Sequence, residues 1–230
     1  MQNSATGPRI LGAAIGVDVG GSFTDVVCST QDRTVRAKAP TDPQDIGNGV
    51  IEACDKVAAL LGIALDQLLP EVTRFGLGTT AVTNALTAHE GLKVGLLTTQ
   101  GFESLALTAR GDRIQREGWL ELPWVPIEPS CIEGLRERLD KSGQVLAPLD
   151  PDSVAAAVRH LVQDHGIESL AISFLWSYVN SVHEKQAAAI ARKCYPNLPI
   201  FCGAALQPIR REYERTMVAV MNAFCANALD

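Results

Sequence analysis

Asp18, Gly20, Gly21, Ser22 and Thr24 stand close together in the stretch GVDVGGSFTDVV. Paired glycines allow positive φ without a Cβ clash and leave backbone N–H groups open to a ligand. Ser22 and Thr24 add hydroxyls suited to the same oxyanion. Asp18 would repel a phosphate placed directly against it, but favours one once a hydrated magnesium ion lies between them. The set therefore suits a phosphate–magnesium hairpin. It suits equally a plain type I′ turn with a solvent-facing aspartate, and this stretch alone leaves both readings open.

Other polar groups have comparable double readings. Thr79, Thr80 and Asn84 fall where RFGLGTT meets AVTNALTAHEG, a strand-like run turning into a short helix. Free N–H groups at a helix start attract anions, although a threonine N-cap with Asn84 packed or solvated explains the same residues. Arg110 opens a polar loop, where an arginine is ordinarily just solvated. His89, His160, His165 and His183 lack metal-ligand spacing and are expected to be structural. Six cysteines at 28, 54, 131, 194, 202 and 225 form no C-x-x-C pair. They are expected to be reduced, several of them packed as small hydrophobes.

The elements that must position these residues follow from periodicity. AAIGVDV, FTDVVCS and RTVRAKA are alternating runs with short gaps, which predicts an antiparallel meander. Thr41 or Asp42 is expected to cap a helix with Pro43 in its first turn and Ile46, Val50, Cys54, Val57 and Leu61 on one face. Strands and helices then alternate. KVGLLTT and SLAISFLW are apolar enough for strands buried on both faces of a parallel sheet. Asp150 and Pro151 open a helix that Gly166 closes. The stretch 111–143 is the least regular and is expected to form an insertion. A final helix begins near Arg210, with Tyr213, Met217, Val220 and Phe224 facing inward and the charges of RREYERT outward. The fold class is α/β. The Gly-Gly lies between two strands, which excludes a dinucleotide fold, and no P-loop lysine pattern is present.

The chain has 230 residues, 47% hydrophobic and 20% charged, with a formal charge of −6 and a pI near 5.3. That balance argues against nucleic acid or an anionic membrane as a general partner. The N-terminus lacks a signal-peptide pattern, and no run approaches the ~18 apolar residues of a membrane span. A cytoplasmic location is expected.

GVDVGGSFTDVV resembles the first phosphate motif of the actin, sugar-kinase and heat-shock-protein ATPase superfamily. Within it the chain is similar to the hydantoinase/oxoprolinase family, which includes N-methylhydantoinase, 5-oxoprolinase and the ATP-binding subunits of acetone and acetophenone carboxylases. GTTAVTNAL, GLKVGLLTTQGF, Arg110, PLD, FLWSYVNSVHEKQ and REYERTMVAVMNAF follow in the family's order. The resemblance implies a ribonuclease H-like (actin-like ATPase) lobe, with a mixed sheet in which an antiparallel meander precedes parallel strands and flanking helices. It implies ATP and Mg2+ as cofactors. Asp18 would orient the metal through water, and Gly20, Gly21, Ser22, Thr24 and Asn84 would bind the cofactor. Thr79, Thr80 and Arg110 would face the substrate.

The implied activity is ATP-dependent hydrolysis of a cyclic amide (hydantoin, 5-oxoproline or a lactam) through carbonyl phosphorylation. A ketone carboxylase subunit and a non-catalytic interaction lobe are the alternatives. The expected partners are a complementary hydantoinase A C-terminal lobe, a hydantoinase B-type subunit and a small cyclic amide or ketone. The expected organisation is a disordered tail over 1–12, a hydantoinase/oxoprolinase N-terminal domain over 13–206, and a truncated start of the next domain over 207–230. The apolar stripe of the last helix is then expected to lack cover and to drive self-association. Leu77 stands where the family commonly carries a histidine.

Overall fold

The computed structural model describes residues 12–42, 45–116 and 118–227. They form two compact units, the first up to Asn84 and the second from Ala85 onward.

The first unit opens with the expected meander: β1 (Ala13–Val19), β2 (Phe23–Ser29) and β3 (Thr34–Pro40), joined antiparallel. Helix α1 (Ile46–Leu61) and a short α2 (Leu65–Leu68) carry the chain across to β4 (Val72–Thr79), which pairs parallel with β1. The sheet order is β3-β2-β1-β4. Alternation sends Ile15, Val17 and Val19 of β1 and Val26 and Cys28 of β2 into one core with Ala53, Cys54, Val57 and Leu61 of α1. Gly16 and Asp18 lie on the opposite, exposed side of β1. The cap of α1 differs from expectation. Asp45 accepts a hydrogen bond from the Asn48 N–H at 3.3 Å, because the Thr41 hydroxyl is already bound to the Gly20 carbonyl. Pro43 lies outside the described residues, as does the tail over 1–11. Helix α3 (Ala81–Ala88) begins in this unit and ends in the next.

The second unit is built on a parallel sheet of order β12 (Ile200–Cys202), β11 (Ser169–Ser173), β5 (Val94–Thr99) and β8 (Ile132–Leu135). β5 (Val94–Thr99) and β11 (Ser169–Ser173) are buried at every position, which is why both read as unbroken apolar runs rather than alternations. Between them come α4 (Leu105–Thr108), the hairpin β6 (Ile114–Arg116) and β7 (Trp119–Glu121), β8 (Ile132–Leu135), the pair β9 (Arg138–Leu139) and β10 (Val145–Ala147), and α5 (Pro151–Gln163). The expected insertion over 111–143 is thus only partly one. β8 lies inside that stretch yet forms the sheet's edge beside β5. With four residues and no alternation, its strand signal is too short to read. Asp150 caps α5 as expected, accepting from Ser153 N–H at 3.1 Å.

The unit closes with α6 (Val182–Cys194), β12 (Ile200–Cys202), α7 (Gly203–Leu206) and α8 (Glu212–Phe224). The expectation of an uncovered stripe on α8 is overturned. Met217, Val220 and Phe224 are buried, and α8 packs on β11 and α7 of its own unit. Nor do all the charges of RREYERT face outward. Arg215 is fully buried, donating to the Ile209 carbonyl at 2.9 Å and the Phe174 carbonyl at 3.0 Å. Glu184 answers it from α6, accepting from Ala204 N–H at 2.8 Å and Phe174 N–H at 3.2 Å. Burial pushes the Glu184 carboxyl above its ordinary range, against the opposing pull of these hydrogen bonds and of Arg215. Among the described residues no helix is long and apolar enough to cross a membrane.

Two measurements check this packing. Met217→Glu places an unpaired charge in the unit's core and is expected to lower unfolding stability by roughly 3 kcal/mol or more in urea titrations. A variant as stable as the parent would mean that the stripe is open after all. For Glu184, a raised carboxyl means the folded state keeps a proton that the unfolded chain has released. Its contribution is full below the ordinary glutamate range and is lost as pH rises through the raised value. Urea midpoints should therefore decline over that interval, and Glu184→Gln should flatten the decline.

Candidate functional site

The candidate hairpin is set by register. Val19 pairs with Thr24 at the end of the β1–β2 ladder, so four residues, Gly20 to Phe23, make the turn. Gly20 N–H closes it on the Phe23 carbonyl at 3.0 Å. Neither Gly20 nor Gly21 adopts positive φ, contrary to the sequence expectation. A four-residue connection can turn without a left-handed residue, whereas a two-residue type I′ turn cannot. The reason for the glycines is space. A Cβ on Gly20 would sit 3.1 Å from the Phe23 carbonyl oxygen, and one on Gly21 would fill the side facing Asn84 Nδ2 at 3.6 Å.

The β4–α3 turn meets this hairpin within the first unit. Thr80 N–H donates to the Val19 carbonyl at 3.2 Å, stitching the turn to the end of β1. Thr79 Oγ1 accepts from Ala81 N–H at 3.1 Å, and Thr80 Oγ1 accepts from Asn84 Nδ2 at 3.3 Å. The hydroxyls thus organise the start of α3, as a cap does, while remaining at its mouth. Gly20, Gly21, Thr79, Thr80 and Asn84 line one recess of about 120 Å³, with Thr41 and Ile46 completing its wall. Every polar group of that lining is neutral, so any charge it holds must be met by backbone and side-chain dipoles.

Asp18 precedes the recess on the exposed face of β1, flanked by Asp25 on β2 and Gly78 on β4. Its carboxylate makes no hydrogen bond or ion pair among the described residues. Asp25 is already matched by Lys38 at 3.3 Å. Nothing lies within 4 Å of a Cβ built on Gly16 or Gly76, so the space beside Asp18 is clear. Thr24 departs from expectation. Its position in β2 turns it inward, where it is fully buried and bonded to Thr41 Oγ1 at 3.0 Å. It is out of reach of a ligand in the recess. Leu77 is half exposed on β4, beside Val17.

Arg110 belongs to the second unit. It adopts φ 59°, its guanidinium pairs with Glu214, and it lies 5.8 Å over the Tyr213 ring. The histidines also have partners there. Buried His183 meets Glu137 at 2.6 Å, half-exposed His160 meets Glu133 at 2.6 Å, and His89 stacks on Trp124. Among the described residues no group of three or more His, Cys, Asp or Glu side chains could hold a metal ion. The six cysteines are free thiols, four of them buried. Sequence reasoning missed Thr41 as part of the recess. It reaches Gly20 only through the return of β3, and local spacing carries no trace of that.

Comparison with known proteins fits this architecture. The chain is 34% identical over 230 residues to the acetophenone carboxylase gamma subunit of Aromatoleum aromaticum, covering 94% of this chain and 31% of that protein. It is 30% identical over 215 residues to the caprolactamase subunit alpha of Pseudomonas jessenii, covering 91% of this chain and 31% of that one. The solved nucleotide-free structure of acetone carboxylase superposes with a TM-score of 0.88 at 25% identity, over 96% of this chain and 33% of that one. The fold is therefore of the actin-like ATPase type. The chain spans about a third of the length of these relatives. Residues 14–195 match the family described as the hydantoinase/oxoprolinase N-terminal region, and the chain belongs to that family.

Proposed function

We propose that this chain carries the ATP-phosphate-binding part of an enzyme that activates a carbonyl oxygen by phosphorylation and hydrolyses a cyclic amide. The observation behind this reading is the neutral recess where Gly20, Gly21, Thr79, Thr80 and Asn84 converge, together with the uncommitted, exposed carboxylate of Asp18, one residue before Val19 of its lining. The Gly21 N–H and the Thr79 and Thr80 hydroxyls are the polar groups that would meet an oxyanion there. A lone exposed carboxylate on the same strand suits Mg2+, which keeps most of its water and draws its remaining ligands from phosphate. In the reaction, the lactam or hydantoin oxygen takes the terminal phosphoryl group and ADP leaves. Water then adds to the activated carbon, the C–N bond breaks, and inorganic phosphate departs. With Mg2+ bound, Asp18 would hold it through water, the Gly20–Ser22 hairpin would clamp phosphate oxygens, and Thr79, Thr80 and Asn84 would close the other side. Such catalysis is positioning and charge stabilisation. Arg110, paired with Glu214 in the second unit, takes no part in this reading.

The chain's coverage of about a third of its relatives supports a complementary C-terminal lobe, and their naming as subunits supports a further, hydantoinase B-type partner. The similarity to a ketone carboxylase subunit supports a second reading, in which the phosphorylated species is an enol oxygen and the next step adds carbon dioxide. ADP release by the assembled enzyme separates the two. Stimulation by hydantoin, 5-oxoproline or a lactam carries the first reading, and stimulation by a ketone with bicarbonate carries the second.

Asp18→Asn preserves shape and removes the charge facing the metal. It is expected to lower magnesium-dependent ADP release at least about a hundredfold in the assembled enzyme, with the urea midpoint unchanged. Near-parental turnover would sink the assignment of the hairpin. Gly21→Val tests the recess itself. The backbone there is not left-handed and the added Cβ meets only ordinary contact, so stability should change by no more than about 1 kcal/mol. Nucleotide affinity, measured by calorimetry on the assembled enzyme, should nonetheless fall about tenfold or more as the side chain fills the space.

A further inference from the structure

Thr41, the first residue after β3, holds both ends of the hairpin. Its backbone N–H donates to the Ser22 carbonyl at 3.0 Å and its hydroxyl donates to the Gly20 carbonyl at 2.9 Å. With that proton committed, the Thr41 oxygen must be the acceptor of the Thr24 hydroxyl 3.0 Å away. The bonds therefore run in one direction, from Thr24 to Thr41 to Gly20, and each polarises the next. Thr24 is fully buried, which shields the inner end of this chain from water.

The consequence lies in the geometry of the peptide group. Because it is planar and trans, the Gly20 carbonyl and the Gly21 N–H point to opposite sides. Fixing the carbonyl on Thr41 fixes the direction of the Gly21 N–H, and the same holds for the Ser22 carbonyl and the Phe23 N–H. Carbonyls in the turn would repel an oxyanion, and those of Gly20, Ser22 and Phe23 are occupied. Gly49 on α1 points to the same design. A Cβ there would lie 2.9 Å from the Pro40 carbonyl oxygen, 3.2 Å from Thr24 Oγ1 and 3.4 Å from Thr41 Cα. A glycine inside a helix is unfavourable, and here it lets α1 press against the two threonines.

We propose that Thr41, braced by Thr24, is a positioning residue that pre-organises the Gly20–Ser22 hairpin for an oxyanion. The inference rests on the phosphate reading of the recess and deepens it. It assigns the anion affinity of the site to the direction of one peptide group, which two buried or half-buried hydroxyls hold.

The test is a titration of the full 230-residue chain, labelled with nitrogen-15, with magnesium pyrophosphate, following the amide resonances. In the parent the Gly20, Gly21 and Ser22 amides should shift while those of 94–99 stay put. Thr41→Val keeps the volume and removes the hydroxyl, and should weaken binding about five- to tenfold, the effect of losing one neutral hydrogen bond. Thr41→Ser keeps the hydroxyl and should bind within about twofold of the parent. Thr24→Val leaves the Thr41–Gly20 bond but removes its polarising donor, and should weaken binding about two- to threefold; it also serves if Thr41→Val does not fold. Parental affinity in Thr41→Val, or in Thr24→Val where it stands in, overturns the proposal. So does a Thr41→Ser variant as weak as Thr41→Val. A parent whose hairpin amides do not respond at saturating pyrophosphate overturns the phosphate reading itself, and this inference with it.

Discussion

The closing pair of the β1–β2 ladder, Val19 against Thr24, is the constraint on which the candidate site depends. It leaves four residues to reverse the chain and assigns each side chain to a face. Asp18 is sent outward and Thr24 inward, so that one is available to a ligand and the other becomes part of the scaffold. The parallel pairing of β4 with β1 then brings the start of α3 to the same strand end, where Thr80 is stitched to Val19. Two strands that are neighbours in the sheet, though about sixty residues apart in the chain, thus present their polar ends together. Ligand sites at strand ends of α/β sheets have this origin.

The second unit solves a different problem. Its central strands β5 and β11 are buried on both faces, so helices must cover them, and α8 supplies part of that cover with Met217, Val220 and Phe224. Burying α8 also buries Arg215. An unpaired buried guanidinium would be strongly destabilising. The unit answers with two carbonyls and the nearby Glu184, whose carboxylate is itself held by two backbone N–H groups. The His183–Glu137 pair, with the Thr99 hydroxyl on the same carboxylate, ties the end of β5 to the start of α6 in a similar way. These buried polar contacts give the unit a defined arrangement rather than a merely apolar one.

How much of this was legible follows from the range of the forces involved. The meander, α1, α5, β5 and β11 were readable because their signals are local: alternation, helical spacing, a capping aspartate before proline, or an unbroken apolar run. The family was readable because several motifs occur in one order over nearly the whole chain. The recess residues Gly20, Gly21, Thr79, Thr80 and Asn84 were nameable for the same reason.

Tertiary structure alone decided the rest. β8 became a sheet edge because β5 offered an open side, although its four residues carry no pattern of their own. Gly20 and Gly21 proved to serve space rather than positive φ, since the register made the turn four residues long. Thr24 turned inward by strand parity, and Thr41 left the helix cap to Asp45 because β3 delivered its hydroxyl to the Gly20 carbonyl. The α8 stripe and Arg215 were buried because a sheet stood ready to receive them. The sequence by itself determined which residues could form elements and which could bind an anion. Which of them meet was settled by strand pairing and packing, whose partners lie tens of residues away and leave no local periodicity to read.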